Sequence, residues 1–353
     1  MFVFGFEYCL RWLNARIHLA NLGRQNQTLD KSDLGLLAEG KTMVIGLDVT
    51  HPSPGSRNTA PSVAALVSSI GPDLAQWPAQ IRVQKARQEQ VDGLDDLMEP
   101  ALERWKAHNA NSLPENILVC RDGVSEGQYA MVRDVELPAL RRACAKVYPQ
   151  DQTAAGFPHF TVLVVGKRHH TRFYPAAHPK DTQFRGTAKG DTTPGEGGAV
   201  IRHDKTGNSL PGTVVDRGVT EVHNWDFFLQ AHAALQGTAR PAHYFVIHDD
   251  IFRRYAVSGL QQAKGFQNTA DILESLMHNM CYLYGRATKA VSICPPAYYA
   301  DIACERARCY LSKDFDPSDS MSIMTAASDP TDWTRLREMT SVHANLRNSM
   351  FYI

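Results

Sequence analysis

In the stretch Thr42-Met43-Val44-Ile45-Gly46-Leu47-Asp48-Val49-Thr50-His51-Pro52, an apolar run, Thr42–Leu47, ends on one acid, Asp48, and is followed by Val49-Thr50-His51-Pro52. A continuous apolar run of this length, bounded by turn residues, reads as a strand buried on both faces. Working outward, Ser62–Val67 and Gln80–Gln84 read as two further strands, with the Pro/Gly-rich segment from His51 to Pro61 turning between the first pair. Val91, Leu94, Met98, Ala101, Leu102 and Trp105 then recur at helical spacing and predict an amphipathic helix.

The alternation continues along the chain. Asn116–Arg121 is another strand, after which Ser125 and Gln128 fit a helix N-cap with its capping-box partner. Pro138 is expected to kink or interrupt that helix. Phe160–Val165 and His243–Ile247 read as strands, Asp271–Tyr284 as a helix, and Pro296–Ser312 as a helix started by proline. Residues 1–41 read as a connector or remnant with a short helix over Leu10–Leu19, and 42–353 as one domain interrupted by a surface insertion at about 175–212. No internal repeat is visible. The expected fold class is α/β, a mixed sheet flanked by helices.

Bulk composition excludes several classes. The chain has 353 residues with Lys+Arg 37 and Asp+Glu 37, so any surface for nucleic acid must be local rather than global. Seven cysteines without a Cys-x-x-Cys pair point to a reducing compartment and argue against a disulfide framework or a zinc site. Cys304 and Cys309 lack companion ligands and read as core packing. The apolar start Met1–Phe6 is too short for a membrane span and is interrupted by Glu7 and Arg11, so a soluble intracellular protein is expected.

Three acids stand out by position: Asp48 in the first strand, Asp122 at the end of the fourth, and Asp301 in the last helix. Singly, an aspartate after a strand is usually a turn residue or cap. Together, on a sheet that opens with a three-strand meander, they suggest carboxylates gathered around a hard cation. Two unit charges about 4 Å apart repel by roughly 4 kcal/mol at an effective dielectric of about 20, so a carboxylate cluster requires protons or cations. Oxygen-only ligands favour Mg²⁺ or Mn²⁺, and two such ions about 3.5–4 Å apart can activate water and stabilise the leaving oxygen of a phosphodiester. Asp249-Asp250 is a rival pair by position. Thr50 stands where an aspartyl-phosphate enzyme would want its second acid, which counts against a phosphatase. Glu89 reads, by itself, as a solvated loop acid.

Lys167-Arg168-His169-His170 and Arg172 follow a buried strand directly; such a run is either a solvated face or a phosphate grip. Tyr284, Arg286, Lys289, Tyr298, Arg306 and Arg308 form a second basic and aromatic group suited to gripping phosphates and stacking a base or sugar. Gln236-Gly237-Thr238-Ala239-Arg240 adds polar groups on a turn.

Taken in order, Gly46–Pro52, Arg121–Gln128, Lys167–Arg172, Gln236–Pro241 and Pro296–Ala300 resemble the Piwi domain of eukaryotic Argonaute proteins, and the terminal Met350-Phe351-Tyr352-Ile353 resembles the family's aromatic C-terminus. Leu22-Gly23 with Asn26 and Leu29 is similar to the connector before that domain. The resemblance implies an RNase H-like fold and an RNA-guided, Mg²⁺-dependent endoribonuclease (slicer) acting in RNA silencing. It matches Asp48, Asp122 and Asp301 to the metal-binding acids and Glu89 to the glutamate that swings in to complete the set. It removes Asp249-Asp250 from the catalytic candidates. Lys167, Arg168, His170, His232, Gln236, Arg240, Tyr284, Arg286, Ser292, Tyr298 and Arg306 match guide-strand contacts, and the Ile353 carboxylate is expected near the guide's 5′ end. Implied partners are a small guide RNA, a target RNA and silencing-complex proteins, without a membrane, in the cytoplasm with room for a nuclear pool. Family members of this type also carry N-terminal, PAZ and MID domains, which these residues do not match. The alternative reading is therefore a truncated or non-cleaving module that binds guide RNA or protein.

Overall fold

A computed structural model describes residues 26–53, 60–175, 206–257, 266, 268–310 and 341–353. The expected helix over Leu10–Leu19, the connector residues Leu22 and Gly23, most of the 175–212 insertion and the middle of Ile251–Thr269 lie outside the described residues.

The strands are β1 (Thr42–Thr50), β2 (Ser62–Ser68), β3 (Ala79–Gln84), β4 (Asn116–Asp122), β5 (His159–Gly166), β6 (Thr213–Val215), β7 (Trp225–Gln230) and β8 (Ala242–Asp249). They form one eight-stranded sheet in the order β3-β2-β1-β4-β5-β8-β7-β6. β1, β4 and β5 run parallel at its centre, and the meander β1-β2-β3 and the β5-β8-β7-β6 side are antiparallel. Strand alternation sorts each residue to one of two layers. Met43, Ile45, Leu47 and Val49 face helices α1 (Leu94–His108) and α2 (Leu137–Val147). Val44, Leu118 and Cys120 face α3 (Thr269–Met280), α4 (Pro295–Tyr310) and the C-terminal residues Met350, Tyr352 and Ile353.

Local chemistry explains the helix starts. Asp95 and Asp96 occupy the first turn of α1, where carboxylates suit the helix dipole. Asn268 and Asp271 cap α3 reciprocally. α4 opens on Pro295-Pro296, whose missing N–H groups would be unpaired there in any case.

Four expectations change. Ser125 and Gln128 do not cap the backbone; the Ser125 hydroxyl donates to Gln128 Oε1 at 2.8 Å, and no side-chain cap forms. Pro138 coincides with an interruption of the helix, as expected: a π-helical turn, Val132–Glu136, breaks the α-helical register and the proline sits in the first turn of α2. The helix expected over Asp271–Tyr284 ends at Met280. β6 and β7 were not expected, and the insertion ends sooner than 212: Asn208 and Ser209 are buried, and the Gly212 N–H donates to Gln230 O at 2.8 Å. β7 is covered on both faces, yet buried Asp226 and Gln230 cut its apolar run to three residues. Phe227 stacks on Tyr244 at 5.0 Å and its neighbour Phe228 stacks on His243 at 4.2 Å.

Among the described residues no helix is long and apolar enough to cross a membrane.

Candidate active site

β1 and β4 pair in parallel with Gly46 beside Cys120 and Leu47 beside Arg121, so one step further along each strand stand Asp48 and Asp122. Alternation sends both toward the α4 layer. Helix α4 comes unusually close to β1 because Gly46 has no side chain: a Cβ built there would lie 1.9 Å from the Pro296 carbonyl oxygen. The Cys304 thiol then reaches the Asp48 carbonyl oxygen at 3.4 Å. Asp301, three residues earlier on the same helix, is thereby brought over the two strand acids.

The acids feel one another. Burial, then the Asp48 charge, with a smaller push from Asp301, lifts Asp122 to about 7 against the Gly123 N–H bond and Arg121. Burial, the Asp48 charge and Glu305 raise Asp301 to about 6. Asp48, 6% exposed, is raised chiefly by burial, opposed by Arg121. Gly123 marks the centre of the site. At φ +82° it lies in the left-handed region, its N–H binds Asp122 Oδ1 at 2.7 Å, and a Cβ there would sit 2.9 Å from Asp48 Oδ1 and 3.5 Å from Glu89 Oε1. Only glycine suits both the backbone and the space.

Glu89 is a correction to its reading as a solvated loop acid. Its side chain is 12% exposed and ion-paired with the fully buried Arg121 at 3.0 Å. Arg121 also donates to the Glu89 backbone oxygen at 2.7 Å and pairs with buried Glu136 at 3.1 Å. Burial opposes the Arg121 charge, but Glu136 and Glu89 outweigh it and hold the guanidinium above its usual range. The other Glu89 oxygen meets His51 Nε2 at 2.9 Å, and His51 Nδ1 meets Ser62 Oγ at 2.9 Å. Arg121, Glu136, His51 and Ser62 were not singled out from the sequence. The one available signal was an arginine inside an otherwise apolar strand, which implies a buried partner.

Among the described residues no three acid, histidine or cysteine side chains are arranged as a ready metal-binding group. The donor chemistry nevertheless fits a hard divalent cation: three mutually repelling carboxylates, oxygen donors only, all three with raised pKa values.

The basic residues gather beside the acids. Lys167 continues the α4-facing side of β5 and donates to the buried Ser292 hydroxyl. Burial and the nearby Arg240 lower its pKa, while Asp122 acts in the opposite sense. Burial, then Lys167, presses His232 down to about 4. Tyr284 and Tyr298 lie 5.0 Å apart, and Tyr284 is pushed up to about 12 by burial while also bonded to Arg286. Arg168, His170, Gln236, Arg240 and Arg306 are exposed, and the Arg168 charge acts on both Asp48 and Asp301. Asp249 is separate from this group: it accepts from Thr161 Oγ1 at 2.6 Å and from the Phe252 N–H at 3.0 Å, a structural cap.

The chain resembles known proteins in both sequence and fold. The sequence model of the Piwi domain matches residues 18–312. The chain is 34% identical to protein argonaute MEL1 of Oryza sativa subsp. japonica, over 94% of this chain and 29% of that relative. It superposes on the C-terminal lobe of a budding yeast Argonaute with TM-score 0.76 and 29% identity, covering 97% of this chain and 60% of that one. A Kluyveromyces polysporus Argonaute with a guide RNA gives TM-score 0.75 and 29% identity, covering 96% of this chain and 36% of that one. The mixed sheet with helices on both faces is thus the RNase H-like fold. A family model that matches most of the sequence, on a fold that superposes on an Argonaute lobe, establishes that this chain belongs to the Piwi domain family of Argonaute proteins.

Proposed function

We propose that this chain is the cutting module of an RNA-guided endoribonuclease. The observation that carries the reading is the convergence of Asp48, Asp122 and Asp301, from two strands and a helix, in one partly buried group whose charges act on one another. These three side chains would hold Mg²⁺ or Mn²⁺, which when bound supplies a polarised water and neutralises charge developing on the scissile phosphate. The chain's own residues do the rest. Arg121 and His51 hold the Glu89 carboxylate at the edge of the site, where it can accept a proton or order water. Lys167, Ser292, His232 and Arg240 form a donor-rich pocket edge for guide phosphates, and Tyr284 and Tyr298 offer ring faces for stacking. Target choice then falls to base pairing, with protein reading backbone and A-form shape. Target RNA, silencing-complex proteins and a cytoplasmic site of action with a nuclear pool complete the proposal.

The chain spans 29% of the length of its MEL1 relative, so a second reading, guide binding without cutting, is kept. One assay separates them: incubation of guide-loaded protein with a matched RNA and Mg²⁺, with Asp122→Ala as control. The first reading expects one guide-dependent cut that vanishes in the variant. Cutting that persists in the variant, or ignores the guide, removes it; tight guide binding without cutting selects the second.

A further inference from the structure

Helix α1 carries a charge that the described residues do not balance. Arg104 is only 8% exposed, and its Nε donates to Asn348 Oδ1 at 3.1 Å. Its Nη1 is buried with no acceptor. The charged group acting on it is a second cation, Arg347; burial and that like charge lower Arg104 to about 10, and no carboxylate opposes them. A buried cation ordinarily sits against an anion or neutralises. The carbonyl ends of α1 and the Asn348 amide contribute partial negative charge. Neither cancels one full charge, and here there are two.

We propose that Arg104, Arg347 and Asn348 form a binding site for a phosphomonoester, either free phosphate or a phosphorylated serine or threonine side chain. Arg347 and Asn348 are exposed, so the site opens to solvent on their side while Arg104 lies buried behind them. Two guanidinium groups and an amide offer donors in excess of acceptors, the complement of a tetrahedral dianion rather than a single carboxylate. The guide and target backbones are the less favoured source because of where the site lies. Asn109, at the end of α1, donates to Ile70 O at 2.9 Å, and the adjacent Ser69 N–H donates to Val44 O at 2.9 Å. That is the beginning of β1, whereas Asp48 lies toward the other end of the strand. The inference is independent of whether the chain cuts RNA.

The test is thermal unfolding of the full chain in inorganic phosphate against chloride at constant ionic strength, with calorimetric titration of a phosphoserine peptide and its unmodified twin. Phosphate is expected to raise Tm progressively, as a ligand of the native state does. R104M should abolish the rise, and R347Q should weaken affinity roughly tenfold. RNA binding should stay at the wild-type level in both variants. Binding of the phosphoserine peptide but not its twin identifies a partner side chain as the source; a response to phosphate alone identifies the free anion. An equal Tm rise in R104M, an equal effect of chloride, or loss of RNA binding along with the phosphate response would each overturn the site. If R104M does not fold, an unchanged phosphate response in R347Q, whose side chain is exposed, overturns it alone.

Discussion

Arg121 grips Glu89 twice, through an ion pair of 3.0 Å to Oε1 and a hydrogen bond of 2.7 Å to the backbone oxygen. The same guanidinium pairs with Glu136, whose Oε1 accepts the Val91 N–H at 3.0 Å. One fully buried cation therefore anchors the loop that delivers Glu89 and the segment that leads into α1.

Arg121→Met should be severely destabilising, because it leaves the Glu136 and Glu89 carboxylates without their cation. Removing one member of a buried ion pair costs about 3–5 kcal/mol. Urea unfolding measures it, and a loss under about 1 kcal/mol would mean the anchoring role is wrong.

Gly46→Ala should displace α4 from the sheet. The added methyl would fall 1.9 Å from Pro296 O, a backbone atom that cannot swing aside. Overpacking typically costs about 1–3 kcal/mol and more where the backbone must shift. A drop in Tm with loss of Mg²⁺-dependent cutting is expected; full activity at unchanged Tm would contradict the close approach.

Asp122→Asn should stabilise the metal-free protein, and more so at pH 8 than at pH 5. The folded Asp122 carboxyl is raised from 3.8 to about 7, so native protein binds more protons than unfolded between those values. Wild-type stability from this group is full below the unfolded value and is lost as pH rises through about 7. Asparagine carries no such loss. Since Asp122 is partly exposed, a gain on the order of 1 kcal/mol is expected. Melting curves at the two pH values check it, and a larger gain at pH 5 would reverse the sign of the argument.

His51→Ala should weaken cutting while sparing the fold. The imidazole is 34% exposed and links Glu89 to Ser62. Loss of an outer partner of a metal site commonly costs about tenfold to a hundredfold in activity. The readout is the rate of guide-dependent cleavage beside an unchanged Tm; an unaltered rate would show that Arg121 alone positions Glu89.

Much of the fold was legible from local pattern. β1, β2, β4 and β5 are apolar runs with turn residues at their ends, and the structure places each within two residues of its expected bounds. β7 was not legible, since the buried polar residues Asp226 and Gln230 leave only Phe227-Phe228-Leu229 as an apolar run, too short to mark a strand. The interruption at Pro138 was legible, but its form, a π-turn that leads into α2, was not. The acids were visible as outliers in apolar strands, whereas Glu89 was not, lying in a stretch whose charge pattern is that of any exposed loop.

The sequence by itself determined the strand content, the order of the motifs and hence the family, because these depend on residues close together along the chain. Only the tertiary structure decided that Asp48 and Asp122 face α4 while Arg121, between them and one residue from Asp122, faces the opposite layer and holds Glu89 and Glu136. It also decided that Arg104 is buried beside Arg347, 243 positions away, without an acid among the described residues to balance it. Charge balance is a property of neighbours in space, and strand alternation, parallel pairing and helix packing choose those neighbours.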